Sequence, residues 1–361
     1  MKFYFIVFIF ILLPCFSCFS QDSLNWGVEV KPKFGFLLAK RGEVGHLPQS
    51  HAVGGEVSFV NYTNGKKKWH STYNYPTIGA TFFIGSPGNR EVLGSFIGSY
   101  AFIDFPFYKS SRYELFWKVG TGLGYGSKVY DPILNPKNSV ISTHVNALVC
   151  FGLFQRFFIG KSYLQVGLDL THFSNAANKV PNIGINMPFL SLGYGYKMVS
   201  TNRSTMMKNT LLYRKILWGL TAIYSGKEIF PTGKGRLPIY AANASARYYF
   251  KPKLGAEVSL DIVSKQSSLI YKPDIEKTQM DLIQVGLYTG YILPLDRFHL
   301  LIGMGMNLRD KFQPESFLYH KVGMRYYFSN GIHLNYVLRS NWAKADFFEC
   351  GLGYTFNFKK K

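Results

Sequence analysis

Residues 164–196 hold the side chains with the clearest capacity for chemistry. In the two-residue period of a β-strand, Leu164, Val166, Leu168, Leu170, His172 and Ser174 share one face, while Gln165, Gly167, Asp169 and Thr171 share the other. An imidazole and a hydroxyl therefore leave the chain on the side of four aliphatic residues, two positions apart. Pleat geometry separates such neighbours by about 7 Å, and rotamer choice can bring them to hydrogen-bond reach. A serine hydroxyl becomes a nucleophile when a neighbouring base takes its proton, and histidine is the usual base. A third group must orient the imidazole, and donors must stabilise the oxyanion. The loop that follows contains Asn175, Asn178, Pro181, Asn182 and Gly184, and its side-chain amides can donate. On the next strand Asn186, Leu190, Leu192, Tyr194 and Tyr196 share one face, and hairpin pairing would return Asn186 to His172. His-x-Ser alone is a weak signal; its plainer reading is a polar strand end at a membrane interface.

The elements that must position this stretch are strands. Tyr113, Leu115, Trp117, Val119, Leu123 and Tyr125 alternate with Arg112, Glu114, Lys118, Gly120, Gly122 and Gly124. The same alternation runs through 145–153, 254–262, 298–308 and 322–328. A soluble sandwich would alternate similarly. Three features favour a transmembrane β-barrel: strand segments near or above the roughly 9–11 residues that cross a bilayer with tilt, a Gly-rich polar face suited to a crowded interior, and aromatic residues towards strand ends, as in interfacial girdles. Closure also removes the unpaired edges that lipid cannot satisfy. The expected fold is an all-β, antiparallel transmembrane barrel of roughly 12–16 strands, from two similar halves, with turns such as Ser86-Pro87-Gly88-Asn89 and Ser329-Asn330-Gly331 between strands.

The 361 residues open with a single Lys2, an apolar run and small residues near position 20. This is the pattern of an export signal over residues 1–20; a lipoprotein reading would acylate Cys15 or Cys18. The expected organisation is then 21–200, a barrel half carrying the motif, and 201–361, strands that either enlarge that barrel or form a second. No later apolar run is long enough for a membrane helix. Aromatic residues make up 17% of the chain, with 35 Gly, in keeping with many short Gly- and Tyr-rich strands. Net charge is +21, which suits an anionic lipid surface; export weakens the nucleic-acid alternative. Cys150 and Cys350 sit in strand-like segments, without a disulfide framework. His46, His51, His70, His144, His299, His320 and His333 show no metal-ligand spacing, and neither a phosphate loop nor a dinucleotide fingerprint is found. No cofactor and no metal is expected.

The halves echo each other. Ser174-Asn175 and, later, Leu192-Gly193-Tyr194 have counterparts in Ser340-Asn341 and Leu352-Gly353-Tyr354, with Leu338 standing where His172 stands. The residues THFSNAANKVPNIGIN followed by LSLGYGY resemble the lipid A 3-O-deacylase family called PagL, outer-membrane barrel serine esterases, and long chains of this pattern resemble those described as acyloxyacyl hydrolases. The resemblance covers about residues 21–196. It implies Ser174 as nucleophile, His172 as general base, and Asn175 and Asn182 near the oxyanion hole. The family's third triad member is a Glu twelve residues beyond the serine; here that position is Asn186, which can hold an imidazole tautomer but cannot neutralise an imidazolium. Asp169 lies on the opposite strand face. The expected substrate is lipid A or lipopolysaccharide, reached laterally in the outer membrane of a Gram-negative bacterium, with Lys66, Lys67, Lys68, Lys179 and Arg203 in a basic belt for its phosphates. A phospholipase would need the same nucleophile. The competing reading is a non-catalytic barrel, a pore or an adhesin.

Overall fold

Among the described residues, sixteen antiparallel strands carry the alternation read from the sequence. The computed structural model describes residues 25–39, 42–198, 216–233, 235–270, 276, 278–311, 316–342 and 344–356. The export signal over 1–20 lies outside the described residues. The first eight strands are β1 (Trp26–Gly35), β2 (Ala52–Tyr62), β3 (Thr77–Ser86), β4 (Phe96–Lys109), β5 (Tyr113–Gly126), β6 (Val145–Ile159), β7 (Ser162–Ser174) and β8 (Ile185–Lys197). They pair in sequence order and close through β1 and β8. The next eight are β9 (Leu217–Lys227), β10 (Leu237–Lys251), β11 (Leu254–Lys265), β12 (Ile283–Leu295), β13 (Phe298–Arg309), β14 (Leu318–Tyr327), β15 (Ile332–Asn341) and β16 (Lys344–Thr355). They close separately through β9 and β16. Of the two arrangements left open by the sequence, the structure has the second: two eight-stranded barrels, each built as an up-and-down meander.

Eight strands leave an interior just wide enough for side chains to fill, and both interiors are filled. In the first barrel Arg156 reaches Glu114 at 2.8 Å, Asp104 at 3.2 Å and Glu29 at 3.3 Å. Lys31 pairs with Glu29 at 2.8 Å and Lys33 with Glu56 at 2.8 Å. The second barrel holds Lys321 against Asp261 at 2.6 Å and Glu349 at 2.9 Å, with Lys227 and Lys265 on Asp346. All of these are buried. A buried charge is tolerated only when paired, so the inward positions carry opposite charges that meet across the barrel. Glycines between them admit the large side chains: a Cβ on Gly195 would run into the Tyr163 ring.

Outward positions are apolar and exposed around both barrels, including Val57, Phe82, Phe151, Leu168 and Leu192 on the first and Trp218, Leu220, Val258 and Ile302 on the second. A large exposed apolar surface marks an interaction with a partner or a membrane, and a continuous apolar belt on a closed sheet is the lipid-facing side of a membrane barrel. Among the described residues no helix is long and apolar enough to cross a membrane; the strands do so.

The connections define two ends. Residues 36–39, 42–51, 87–95, 127–144 and 175–184 lie at one end of the first barrel, and 63–76, 110–112 and 160–161 at the other. In the second barrel, 228–233 lies at the end of β9 and 296–297 at the opposite end. The barrels meet through like ends. Tyr73 Oη donates to Pro294 O at 3.0 Å, while Glu228 bonds the 175–184 loop. Both barrels therefore stand the same way up, as they must to share one membrane.

Candidate active site

The outward face of β7 ends in chemistry. Leu164 and Leu168 are exposed, Leu170, His172 and Ser174 half-buried, and Gln165, Asp169, Thr171 and Phe173 buried inside. Phe173 packs in the lumen against Phe96 at 4.8 Å and Phe83 at 5.8 Å between ring centroids. This anchor between the two polar residues fixes the strand end, so His172 and Ser174 project outward from a rigid base.

β8 returns beside β7 in the register His172↔Asn186. The Asn186 amide oxygen accepts from His172 Nδ1 at 3.0 Å. An amide oxygen only accepts, so Nδ1 carries the hydrogen and Nε2 is the ring atom able to take a proton. Asn186 is itself 7% exposed, and its backbone oxygen accepts from Leu38 N at 2.9 Å. Gly184, at φ +80°, lies so close to the imidazole that a Cβ there would stand 2.8 Å from His172 Cε1. Glycine is thus required twice, by its left-handed backbone and by the ring beneath it.

Two donors converge on the Ser174 hydroxyl: Asn182 Nδ2 at 3.0 Å and Ala176 N at 3.2 Å. The backbone that aims Ala176 N has positive φ at two non-glycine residues, Ala176 (52°) and Ala177 (62°), an arrangement that costs energy and persists only when its surroundings enforce it. Asn182 also accepts from Asn175 N at 3.1 Å through Oδ1. Of the two asparagines expected near an oxyanion, Asn182 meets the hydroxyl. The Asn175 side chain turns away, donating to Ser142 Oγ at 3.2 Å and Lys179 O at 3.0 Å. It braces the loop, and its part in the site is its backbone N–H.

The 127–144 loop supplies further support. Ser142 Oγ donates to Lys179 O at 2.9 Å, and Gly184 N donates to Val140 O at 2.9 Å. The loop is turned by Asp131, whose carboxyl accepts from Leu134 N and Ile133 N and is held below its ordinary pKa by those two donors.

Asp169 is inside the barrel, paired with Lys33 at 2.6 Å, and cannot serve the outward imidazole. The basic belt expected from the sequence is divided by the fold. Lys66, Lys67 and Lys68 belong to the 63–76 connection, at the end opposite Ser174; Lys67 stands 3.8 Å from Asp296 of the second barrel. Lys179 is in the site loop and exposed, and Arg203 lies outside the described residues.

Along the outer wall, an open groove of about 570 Å³ is lined by Phe34, Phe36, Trp117, Phe151, Leu168, Leu170, Pro188 and Leu190. The groove ends at Leu170, two residues before His172 on the same face, and neither His172 nor Ser174 lines it.

The second barrel repeats the placement without the site. Ser340 and Leu338 face outward near the end of β15, the seventh strand of that barrel, as Ser174 and His172 do on β7. His320 stands opposite Ser340 on β14, a proximity set by strand pairing across twenty residues; its ring meets Trp342 edge-on at 5.3 Å.

Residues 54–196 match the family model described as lipid A 3-O-deacylase (PagL), and residues 216–359 match that of the acyloxyacyl hydrolase C-terminal domain. No curated protein matches the chain. Among solved structures, the chain is similar to Neisserial surface protein A, at 11% identity over 49% of this chain and 100% of that one, with a TM-score of 0.33. It is also similar to a mutant Rhodopseudomonas blastica porin, at 10% identity over 92% of this chain and 100% of that one, with a TM-score of 0.18. Likenesses this low add nothing to the architecture read from the strands.

Proposed function

The chain belongs to the PagL family of lipid A 3-O-deacylases, outer-membrane hydrolases of an ester bond, and we propose that it removes an ester-linked acyl chain from lipid A with Ser174 as nucleophile and His172 as base. The observation that carries this reading is the imidazole on the membrane-facing wall, two positions from Ser174, oriented by the 3.0 Å bond from Nδ1 to Asn186. In the proposed reaction Nε2 takes the Ser174 proton, which in the resting structure is donated to Asn182 Oδ1 at 3.4 Å. Ser174 Oγ then attacks the ester carbonyl, and the negative charge develops on the carbonyl oxygen. Asn182 Nδ2 and Ala176 N, the donors nearest the hydroxyl, are placed to receive that charge. Collapse breaks the bond to the sugar oxygen, which takes the proton back from His172 and leaves an acyl-serine. Water, deprotonated by the same imidazole, releases the fatty acid.

The groove gives the acyl chain a path. Its walls are outward residues of β1 and of β5 to β8, so a lipid tail lying against the barrel stays in hydrocarbon as far as Leu170, two residues short of His172. The phosphorylated head would sit at the long-loop end, where Lys179 is exposed; a cation near a phosphate contributes by charge. Outer-membrane placement by an export signal belongs to the same proposal.

The test is mass spectrometry of lipid A from membranes carrying the protein. Wild type should remove one acyl chain. Ser174→Ala and His172→Ala should each lower the rate by at least about a thousandfold, with both barrels still folded by heat-modified gel mobility. Unchanged lipid A with folded wild-type protein would remove the esterase reading. Cleavage of glycerophospholipid in its place would reassign the headgroup.

A further inference from the structure

We propose that Glu228, carried by the second barrel, is a positioning residue for the serine site of the first. The inference rests on the esterase reading above and gives the second barrel a part in it. Glu228 lies just after β9 and is 3% exposed. It clamps the site loop at two points. Its backbone N donates to Ala177 O at 3.2 Å, and its Oε2 accepts from Val180 N at 2.9 Å. The other carboxylate oxygen, Oε1, accepts from Gly233 N at 3.0 Å, which ties the side chain into its own loop. A carboxylate accepting backbone N–H groups makes a strong, directional contact.

The clamped residues are the strained ones. Ala176 and Ala177 both have positive φ, a conformation that relaxes unless its surroundings hold it. Ala176 N is one of the two donors on Ser174 Oγ, at 3.2 Å. Asn182, the other donor, lies two residues beyond Val180. Fixing Ala177 O on one side of the turn and Val180 N on the other thus holds both donors at the hydroxyl. The first barrel braces the same loop through Ser142 and Val140, at Asn175, Lys179 and Gly184, and none of these contacts holds Ala177 O or Val180 N. Glu228 touches neither the serine nor the histidine. It acts through the loop, and it comes from the barrel in which Leu338 stands at the position of His172.

The experiment compares wild type, Glu228→Ala, Glu228→Gln and Asp296→Asn in the full chain, in outer-membrane vesicles. Asp296→Asn alters the exposed inter-barrel pair with Lys67, at the opposite end from Ser174, and should leave activity unchanged. Two readouts are taken: kcat and KM for lipid A deacylation, and amide hydrogen exchange over 175–184. Glu228→Ala should lower kcat at least about tenfold, since a displaced donor loses its alignment with the transition state, with KM within about twofold. Exchange at Val180 should rise. Glu228→Gln keeps an amide oxygen for Val180 N and should recover part of both. Unchanged kcat or unchanged exchange in folded Glu228→Ala would overturn the proposal, as would a rise in KM alone. If wild type itself fails to deacylate, the esterase reading falls; the exchange at Val180 then decides the clamp alone.

Discussion

At the residue scale, the site departs at Asn186 from the pattern that the family resemblance implies, with an amide one methylene shorter in place of a Glu. Asn186 offers the imidazole a neutral oxygen where the family has a carboxylate. The 3.0 Å bond sets the tautomer, which is the orienting half of the task. It contributes little to stabilising the imidazolium formed during attack. Hydrogen bonds to charged partners exceed neutral ones by about 1 to 1.5 kcal/mol, which is about a five- to tenfold change in rate. Asn186→Asp, which preserves the shape of the side chain, should therefore raise kcat by about five- to tenfold. Steady-state deacylation measures it, and an equal or lower rate would mean that the neutral amide is already the better partner. The pairing itself is readable in the sequence, because Asn186 and His172 are adjacent once β7 and β8 form a hairpin. The separation of Asn175 from Asn182 is not: both are loop asparagines near a serine, and only the packing of Ser142 and Lys179 around Asn175 turns its amide away.

At the element scale, the loop at 175–184 is held against its own preferences. Two alanines at positive φ, a glycine pressed on the histidine ring, and braces from the 127–144 loop and Glu228 fix one conformation. Gly184→Ala tests this economy of space. The added methyl meets His172 Cε1 at 2.8 Å and must also adopt φ +80°. The imidazole should be displaced from Asn186, and kcat should fall about ten- to a hundredfold, as for a misplaced catalytic group, while the barrel stays folded. Full activity in that variant would show that the ring has room to spare. Strand phase, by contrast, needed no tertiary information: the outward set Leu164, Leu168, His172 and Ser174 follows from period two alone.

At the scale of the whole molecule, two filled barrels stand side by side. The lumen of the first is crossed by Arg156 and its three carboxylates, and that of the second by Lys321, Arg339 and their partners. Among the described residues these buried groups occupy the space that a pore would need for water. The protein in planar bilayers should therefore carry no steady conductance. A stable open level would demand a water path through one lumen and would restore the pore as a competing function. The shared orientation of the barrels brings Glu228 to the loop of the serine site and the 294–297 turn to the 63–76 connection.

Local order along the chain determined the strands, their outward and inward faces, the hairpin that joins His172 to Asn186, and the likeness between halves. All of these depend on residues close in sequence, or on a period that repeats within each strand. Tertiary structure alone decided that the strands close as eight and eight, because closure depends on which distant edges meet: β1 with β8 and β9 with β16. It alone moved Lys66, Lys67 and Lys68 to the far end from Ser174, since their place follows from the up-and-down course of the chain. It alone brought Glu228 to Val180. A backbone N–H needs a partner wherever it is buried, and nothing in the residues around Val180 says that this partner comes from another barrel.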